Sequence, residues 1–448
     1  MTLRFPCRLV LAVLIAFSLA PGVFSQVFDR IERDRMKEML TNIKNAIKKT
    51  YYDPTYHGID LDARFQKAEK RLDEITSTGQ AFAVIAQVLT DFDDSHLYFQ
   101  PPATTVEVQY GFGLKMIGND AFVSIVKRNS DADLKGLKPG DRILTMEGFK
   151  PTRKDLWKMT YYYYVLSPRA KLRLSVLSPG AADPVDVEIL AKVKAKKRIL
   201  DLPSGQDFND LVRESDDAAA RAAHYFVALD NTLVWKMLTF SVDPQQVEDI
   251  VSSRLKNKSK LILDLRGNGG GYVKTLEQLA GHFFDKDMKI ADRNGRPEKK
   301  KENEPLMLKS SKKSQFSGKL IVLIDSQSGS ASEIFARFVQ LEKRGVILGD
   351  VSAGAVMQSI SYPFKMIAGI NNEIYYGASI TNADVIMSDG KSVEHIGVKP
   401  DELIVPTAED LRNRRDPVMA RALEVAGTKA SPEAAWKMFE KANTWDDN

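Results

Sequence analysis

The chain has 448 residues, of which 44% are hydrophobic and 27% are charged, and its formal net charge at pH 7 is +5. This length suffices for about two or three domains. No basic stretch is interleaved with aromatic residues, which argues against nucleic acid as a partner. The five histidines show no metal-binding spacing, and we expect neither a metal nor another cofactor.

The first 25 residues have the three parts of a secretory signal peptide. Two arginines supply the positive charge, residues 9–20 form an apolar run, and small residues before Gln26 suit a cleavage site. The run is too short to span a bilayer, so no membrane anchor is expected after cleavage. Cys7, the single cysteine, would leave with this segment, which excludes disulfides and thiol catalysis. The predicted location is periplasmic or secreted.

Residues 26–100 are expected to form an N-terminal helical region. Apolar residues recur at helical spacing between Ile31 and Ile43, and the pattern returns between Phe82 and Leu89. Two consecutive prolines then interrupt the pattern at positions 101 and 102.

Residues 101–195 alternate in the manner of short strands, with one helix predicted near Arg153–Tyr161. The segment Gly136–Asp141 (GLKPGD) resembles the core of a PDZ domain, although an ordinary β-turn in a sheet is the alternative interpretation. The resemblance implies that a loop before the first long strand presents backbone N–H groups to the carboxylate of a peptide C-terminus. The residues of that loop are Gly111, Phe112, Gly113 and Leu114.

The second half of the chain is predicted to be a layered α/β domain. A charged connector (196–224) precedes a core (225–406) in which apolar strands alternate with helices, and such alternation favours parallel strand pairing. The basic stretch Lys286–Lys313 is interpreted as a solvated loop. C-terminal helices are expected over 407–448.

The segment Leu261–Gly271 (LILDLRGNGGG) contains an apolar strand that runs into a glycine-rich turn. Glycines leave main-chain N–H groups open to a ligand, which suits an oxyanion hole but also a phosphate site. Asp264 and Arg266 are expected to hold this turn rather than to take part in chemistry.

A second apolar strand leads into a turn of small residues at Ser330, followed by a helix start. A hydroxyl at a helix N-terminus lies where developing negative charge is stabilised, so Ser330 is a candidate nucleophile. The alternative is that Ser330 only caps the helix, as serines often do.

Together these segments resemble the serine peptidases of family S41, in particular the tail-specific, or C-terminal processing, peptidases. The residues that carry the resemblance are Asp264–Gly271, Ser330–Glu333 and Val393–Asp401 (VEHIGVKPD). The resemblance implies a crotonase-like ββα core with Ser330 as the nucleophile. It also implies an oxyanion hole formed by the N–H of Ala331 and that of Gly269 or Gly270.

The tail-specific branch uses a lysine as its base, and the corresponding position here is Ala355. A second S41 branch, the tricorn-type peptidases, uses a Ser-His-Ser-Glu tetrad instead. Its pattern implies His96 as the general base, with Ser95 relaying to Glu394; an ordinary histidine pKa near ~6.5 suits that role. His395 remains a rival base.

The leading hypothesis is an exported serine endopeptidase that acts on unfolded or C-terminally recognised proteins through an acyl-enzyme on Ser330. Its partners would be protein or peptide substrates, and no oligomeric state is predicted. The alternative is a catalytically silent protein that binds peptides through its PDZ-like domain. A thioester-processing enzyme of the crotonase type is a third reading, which the export signal disfavours.

Overall fold

The computed structural model describes residues 28–103, 106–195, 223–367 and 373–440. The predicted signal peptide lies outside these residues, as does nearly all of the predicted connector (196–224). The described chain has a mixed α/β fold, which confirms the predicted class at that level. No helix in the described ranges is both long and apolar enough to cross a membrane.

Three helices form the N-terminal region: α1 (Arg30–Thr50), α2 (Leu61–Glu74) and α3 (Thr78–Thr90). Each begins at a residue whose side chain accepts a backbone N–H of the first turn, namely Asp29, Asp60 and Ser77. Their apolar faces pack together and against a long hairpin described next.

The hairpin comprises β16 (Met357–Ile367) and β17 (Glu373–Met387). On its other side β17 pairs with β1 (Tyr98–Gln100) and with β12 (Met288–Gly295), which in turn pairs with β13 (Leu306–Leu308), all antiparallel. One strand therefore links the N-terminal helices to the core.

The interpretation of Lys286–Lys313 as a solvated loop is wrong. All of β12 and all of β13 lie inside that stretch, and Ile290 and Ala291 are fully buried. The charged residues of β12 lie on its solvent side, and only a short portion of the strand is apolar. The high charge of the whole stretch therefore gave no indication of a strand.

An antiparallel β domain follows β1. It comprises β2 (Val106–Gln109), β3 (Phe112–Ile117), β4 (Asp120–Val126), α4 (Asp131–Leu134), β5 (Arg142–Met146), α5 (Leu156–Tyr161), β6 (Lys171–Leu177), β7 (Val185–Leu190) and β8 (Lys192–Ala195). Strands β3 to β7 form one sheet in chain order, and β2 pairs with β8. Phe112 and Leu114 of the predicted peptide loop point into this domain's apolar core, and Gly111 makes the turn before them at φ +76°.

The core is a six-stranded sheet in the order β18–β15–β14–β11–β10–β9. Its strands are β9 (His224–Leu229), β10 (Thr232–Met237), β11 (Lys260–Asp264), β14 (Lys319–Ile324), β15 (Gly345–Gly349) and β18 (Glu402–Leu403). All neighbours are parallel except β9 and β10, as the strand–helix alternation predicted.

Helices cover both faces of this sheet. They are α6 (Pro244–Arg254), α7 (Val273–Gly281), α8 (Ala331–Leu341), α10 (Pro417–Val425) and α11 (Pro432–Lys437). Between β18 and α10 lies the short α9 (Ala408–Arg412), whose Arg412 contacts Pro139 and Asp141 of the antiparallel β domain. Along β11, Leu261 and Leu263 pack beneath α6, α7 and α8, whereas Ile262 points to α10 and α11. This alternation follows from the two-residue period of a strand.

Candidate active site

The carboxyl ends of β11 and β14 bring the glycine-rich turn and the serine turn together. The two strands are adjacent and parallel, with Asp264 opposite Leu323. Two hydrogen bonds hold the turns side by side. The Gly329 N–H donates to the Asn268 carbonyl at 2.9 Å, and Ser328 Oγ donates to the Leu265 carbonyl at 2.8 Å. Two segments that are distant in sequence thus form a single rigid edge.

Ser330 stands at the N-cap position of α8, as the capping interpretation expected, and its hydroxyl also faces an imidazole. Its backbone has φ 52° and ψ −117°, a conformation that is strained for a residue with a side chain. The Ser330 N–H is held by the Ala355 carbonyl at 2.9 Å and by Glu333 Oε2 at 3.0 Å. A strained backbone conformation that neighbouring groups hold in place is typical of functional sites.

His96 reaches this serine from the turn between α3 and β1. His96 Nε2 lies 3.2 Å from Ser330 Oγ, and His96 Nδ1 lies 2.8 Å from Ser95 Oγ. Ser95 Oγ donates to Glu394 Oε2 at 2.9 Å, and the Ser95 N–H donates to Glu394 Oε1 at 3.0 Å. A continuous hydrogen-bonded relay therefore joins Glu394, Ser95, His96 and Ser330, which are the four residues that the tetrad pattern implied.

Burial shifts the pKa values of two members of this relay, His96 and Glu394. It lowers the pKa of His96, an effect that the negative charge of Asp94 opposes, and it raises the pKa of Glu394 against the hydrogen bonds from Ser95 and Val356. A neutral imidazole is the form that can accept a proton from the serine hydroxyl.

His395 is placed differently. Its side chain is half exposed and its Nε2 lies 3.7 Å from Glu394 Oε1. In the part of the chain that the structure describes, no hydrogen bond joins His395 to Ser330. The geometry thus brings His96, and not the rival imidazole, to the serine hydroxyl.

The oxyanion prediction needs one correction. The N–H of Gly270 donates to Asn268 Oδ1 at 2.9 Å within the turn, so Gly270 cannot supply the second donor. The N–H groups of Gly269 and Ala331 have no acceptor among the described residues. Sequence alone did not show that the Asn268 side chain would engage one glycine amide.

Gly270 and Gly269 should respond differently to alanine. A Cβ at Gly270 would lie 2.6 Å from Ser330 Cβ and 2.8 Å from the Gly329 carbonyl oxygen, at φ +102°, whereas a Cβ at Gly269 meets nothing within 4 Å. We expect Gly270→Ala to lower kcat by about 10² or more, because it displaces the serine and its oxyanion donors. Gly269→Ala is the matched control, and steady-state kinetics that rank the two variants equally would contradict this reading.

Two further residues, Val356 and Glu333, support the site and were not assigned a role from sequence. The Val356 N–H donates to Glu394 Oε2 at 2.6 Å. Buried Glu333 accepts hydrogen bonds from the N–H groups of Ser330, Gly354 and Ala355, and burial raises its pKa to about 7. Glu333 lies within a motif that the sequence reading quoted, which was the available signal.

The serine turn also contacts the antiparallel β domain. Ser326 Oγ donates to the Met116 carbonyl at 2.6 Å, and Gln327 Nε2 donates to the Leu114 carbonyl at 3.4 Å. Residues three and four positions before Ser330 thus touch β3, the strand that contains Phe112, Gly113 and Leu114 of the predicted peptide loop.

A strained serine, a neutral imidazole within hydrogen-bond reach and unpaired N–H groups can perform nucleophilic acyl transfer, the chemistry of serine hydrolases. No group of three or more potential metal ligands is found in the described segments. Residues 233–404 match the model of peptidase family S41, and the chain therefore carries an S41 peptidase domain.

Curated relatives carry processing-protease names. The carboxy-terminal processing protease CtpB of Bacillus subtilis is 27% identical over 265 residues, covering 56% of this chain and 48% of that protein. The tail-specific protease of Haemophilus influenzae is 26% identical over 346 residues, covering 74% of this chain and 46% of that protein. The chain thus spans somewhat less than half the length of these two relatives.

Among solved structures, mature CPAF complexed with lactacystin superposes with a TM-score of 0.61 at 13% identity. The match covers 85% of this chain and 96% of that one. At this identity the likeness concerns the fold alone.

Proposed function

We propose that this protein is a serine endopeptidase that hydrolyses peptide bonds through an acyl-enzyme on Ser330. The observation that carries the proposal is the hydrogen-bonded relay from Glu394 through Ser95 and His96 to Ser330. A base within reach of a candidate nucleophile, itself oriented by a third group, is the diagnostic geometry of an activated serine.

In the first half-reaction His96 Nε2 takes the Ser330 hydroxyl proton while Oγ attacks the peptide carbonyl. The N–H groups of Ala331 and Gly269 stabilise the oxyanion of the tetrahedral intermediate. The imidazolium then protonates the departing amine, which leaves the acyl-enzyme. A water molecule, deprotonated by the same imidazole, hydrolyses this ester and restores Ser330.

Ser95 fixes the tautomer of His96 in this scheme. The Ser95 hydroxyl donates a hydrogen bond to Glu394 and accepts one from His96 Nδ1–H. Nε2 of His96 is then unprotonated, and its lone pair faces Ser330. Glu394 acts through Ser95 and never touches the imidazole. Burial raises the pKa of Glu394, and the hydrogen bonds that Ser95 and Val356 donate counter part of this effect.

The substrates we propose are unfolded or C-terminally recognised proteins, in line with the processing-protease names of the relatives. We assign residues 101–195 to a PDZ-like domain that captures or gates such tails, and the core to the crotonase-like arrangement. The contacts of Ser326 and Gln327 with β3 support communication between the two. The predicted signal segment supports export to the periplasm or exterior.

Ala355 favours a second candidate, a silent peptide-binding protein, because its methyl group cannot replace the lysine base of the tail-specific branch. The intact relay around His96 speaks against this candidate, since peptide binding alone requires no such relay.

Degradation of a fluorescein-labelled unfolded casein by the purified chain tests the proposal. We expect the wild type to cleave it and Ser330→Ala to lose detectable turnover, because the nucleophile is gone. Ser252→Ala, on the exposed face of α6, is the matched control and should retain full activity. Binding of the casein without cleavage by the wild type would favour the silent candidate.

A further inference from the structure

Asp94 is a buried carboxylate that lies two residues before His96. Its side chain is part of a residue only 6% exposed, in the turn that connects α3 to β1. Asp94 Oδ1 accepts the His96 N–H at 2.9 Å and the Thr381 hydroxyl of β17 at 2.7 Å. The carboxylate thus joins the backbone of His96 to β17, one of the two strands of the hairpin.

The second oxygen of this carboxylate is left without a hydrogen bond. Asp94 Oδ2 and the neighbouring Tyr51 hydroxyl are both buried and interact with each other, yet neither makes a hydrogen bond of ordinary geometry to a described residue. Leaving a buried carboxylate oxygen unpaired costs free energy, so its retention calls for an explanation. If Asp94 served only to hold the backbone in place, an asparagine would suffice, because its amide oxygen could accept the same two hydrogen bonds without a charge.

The surroundings of Asp94 contain little that could balance its charge. The described titratable groups that the charge of Asp94 affects are Tyr51, Tyr52, Asp384 and His96. Asp53, His57 and Glu394 act in turn on Tyr51, Tyr52 or Asp384. His57 is bonded to the Tyr52 hydroxyl and paired with Asp53. Burial first and Asp94 second raise the pKa values of Tyr51 and Tyr52, so both phenols stay neutral. His96 is therefore the group beside Asp94 whose positive charge would be stabilised by it.

We propose that Asp94 is a positioning residue of the peptidase reaction whose negative charge stabilises the His96 imidazolium in the transition state. The inference rests on the proposed function, since the imidazolium forms only if His96 acts as the base for Ser330. Glu394 reaches His96 only through the neutral Ser95 hydroxyl, and Asp94 supplies charge from the backbone side.

The direction of the effect follows from the two opposing influences on His96. Burial lowers the pKa of the imidazole and Asp94 opposes this, so removal of the charge should lower the pKa further. A base of lower pKa remains neutral at lower pH but accepts the serine proton less readily. The plateau of the pH profile should therefore fall while its acidic limb moves to lower pH.

Asp94→Asn is the decisive variant because an amide oxygen can still accept from His96 and Thr381. We expect kcat at the plateau to fall about tenfold or more, KM to change little, and the acidic limb of kcat/KM to shift down by about one pH unit. Asp93→Asn is the control, since it removes a neighbouring exposed charge that pairs with Lys154. A lower plateau with an unmoved acidic limb would reduce Asp94 to a structural tether and overturn the proposal.

Titration of His96 by NMR separates this inference from the peptidase proposal. With histidine-labelled full-length protein, and His96→Ala to assign the signal, Asp94→Asn should lower the measured pKa of His96. Thr381→Val, which removes the tether but keeps the charge, should leave this pKa higher than Asp94→Asn does. An unchanged pKa in Asp94→Asn overturns the inference even if the wild type cleaves casein. Absence of cleavage by a wild type whose His96 does respond refutes the peptidase proposal instead.

Discussion

Replacement of His96 by alanine should lower kcat by about 10⁴-fold or more, while His395→Ala should retain most of the activity. The reason is geometric: His96 Nε2 lies 3.2 Å from Ser330 Oγ, whereas the half-exposed His395 side chain lies 3.7 Å from Glu394 Oε1 and makes no hydrogen bond to Ser330 within the described ranges. Casein cleavage under identical conditions, with folding checked by circular dichroism, provides the measurement.

The reverse ranking of the two histidine variants would refute the assignment of the base. Adding lysine at the Ala355 position supplies a sharper control. The Ala355 carbonyl holds the Ser330 N–H, so this residue is close to the nucleophile's main chain. Ala355→Lys should not restore a His96→Ala variant fully; full rescue would indicate that the site operates with a lysine base.

Replacement of Arg266 by alanine should lower the free energy of unfolding by about 3–5 kcal/mol. Arg266 makes paired hydrogen bonds to Asp264 and to Asp416, each at 2.8 Å, and thereby joins the glycine-rich turn to α10. Among the described residues, its removal leaves Asp264 with one cationic partner, Lys236 at 3.2 Å, and leaves Asp416 with only the Met419 N–H at 2.9 Å. Urea denaturation at pH 7 measures the loss.

The pH dependence of the Arg266 effect has a defined sign. Burial alone would raise the pKa of Asp264 and of Asp416, but Arg266 more than offsets it and holds both below their usual values. Groups with depressed pKa values stabilise the fold above about pH 4 and lose that contribution as the pH falls further. The deficit of Arg266→Ala should therefore shrink on acidification. Arg266→Lys, which keeps the charge but not the paired geometry, should show an intermediate loss; equal deficits at pH 7 and pH 3 would contradict the assignment.

The core could be anticipated from sequence because its strands are continuous apolar runs that end at recognisable turns. β11 and β14 are examples, and parallel neighbours bring their carboxyl ends to one edge without further information. The hairpin of β16 and β17 was not predicted from the sequence. Its strands mix polar and apolar residues over a length that no short window resolves, and their pairing depends on the N-terminal helices that cover them.

The functional groups were suggested by motifs, but their partners were not. Sequence suggested His96, Ser95 and Glu394 through a resemblance, and the structure brings the three together; their catalytic roles remain proposals. The use of the Gly270 amide by Asn268 and the contact of Asp94 with Thr381 depend on side-chain directions that pattern cannot supply. Both are contacts made after tertiary packing.

The relay also determines when in its lifetime the protein could act. Ser95 and Glu394 are 299 positions apart, so Ser330 is synthesised well after its base but before the carboxylate that orients that base. At ribosomal rates of about 5–20 residues per second, the 299-residue stretch takes on the order of 15–60 seconds to complete. Only during the last 64 positions of that stretch, from Ser330 to Glu394, does the growing chain hold the serine with an unfinished relay. A chain that ends before Glu394 therefore lacks the complete relay on which the proposed activity depends.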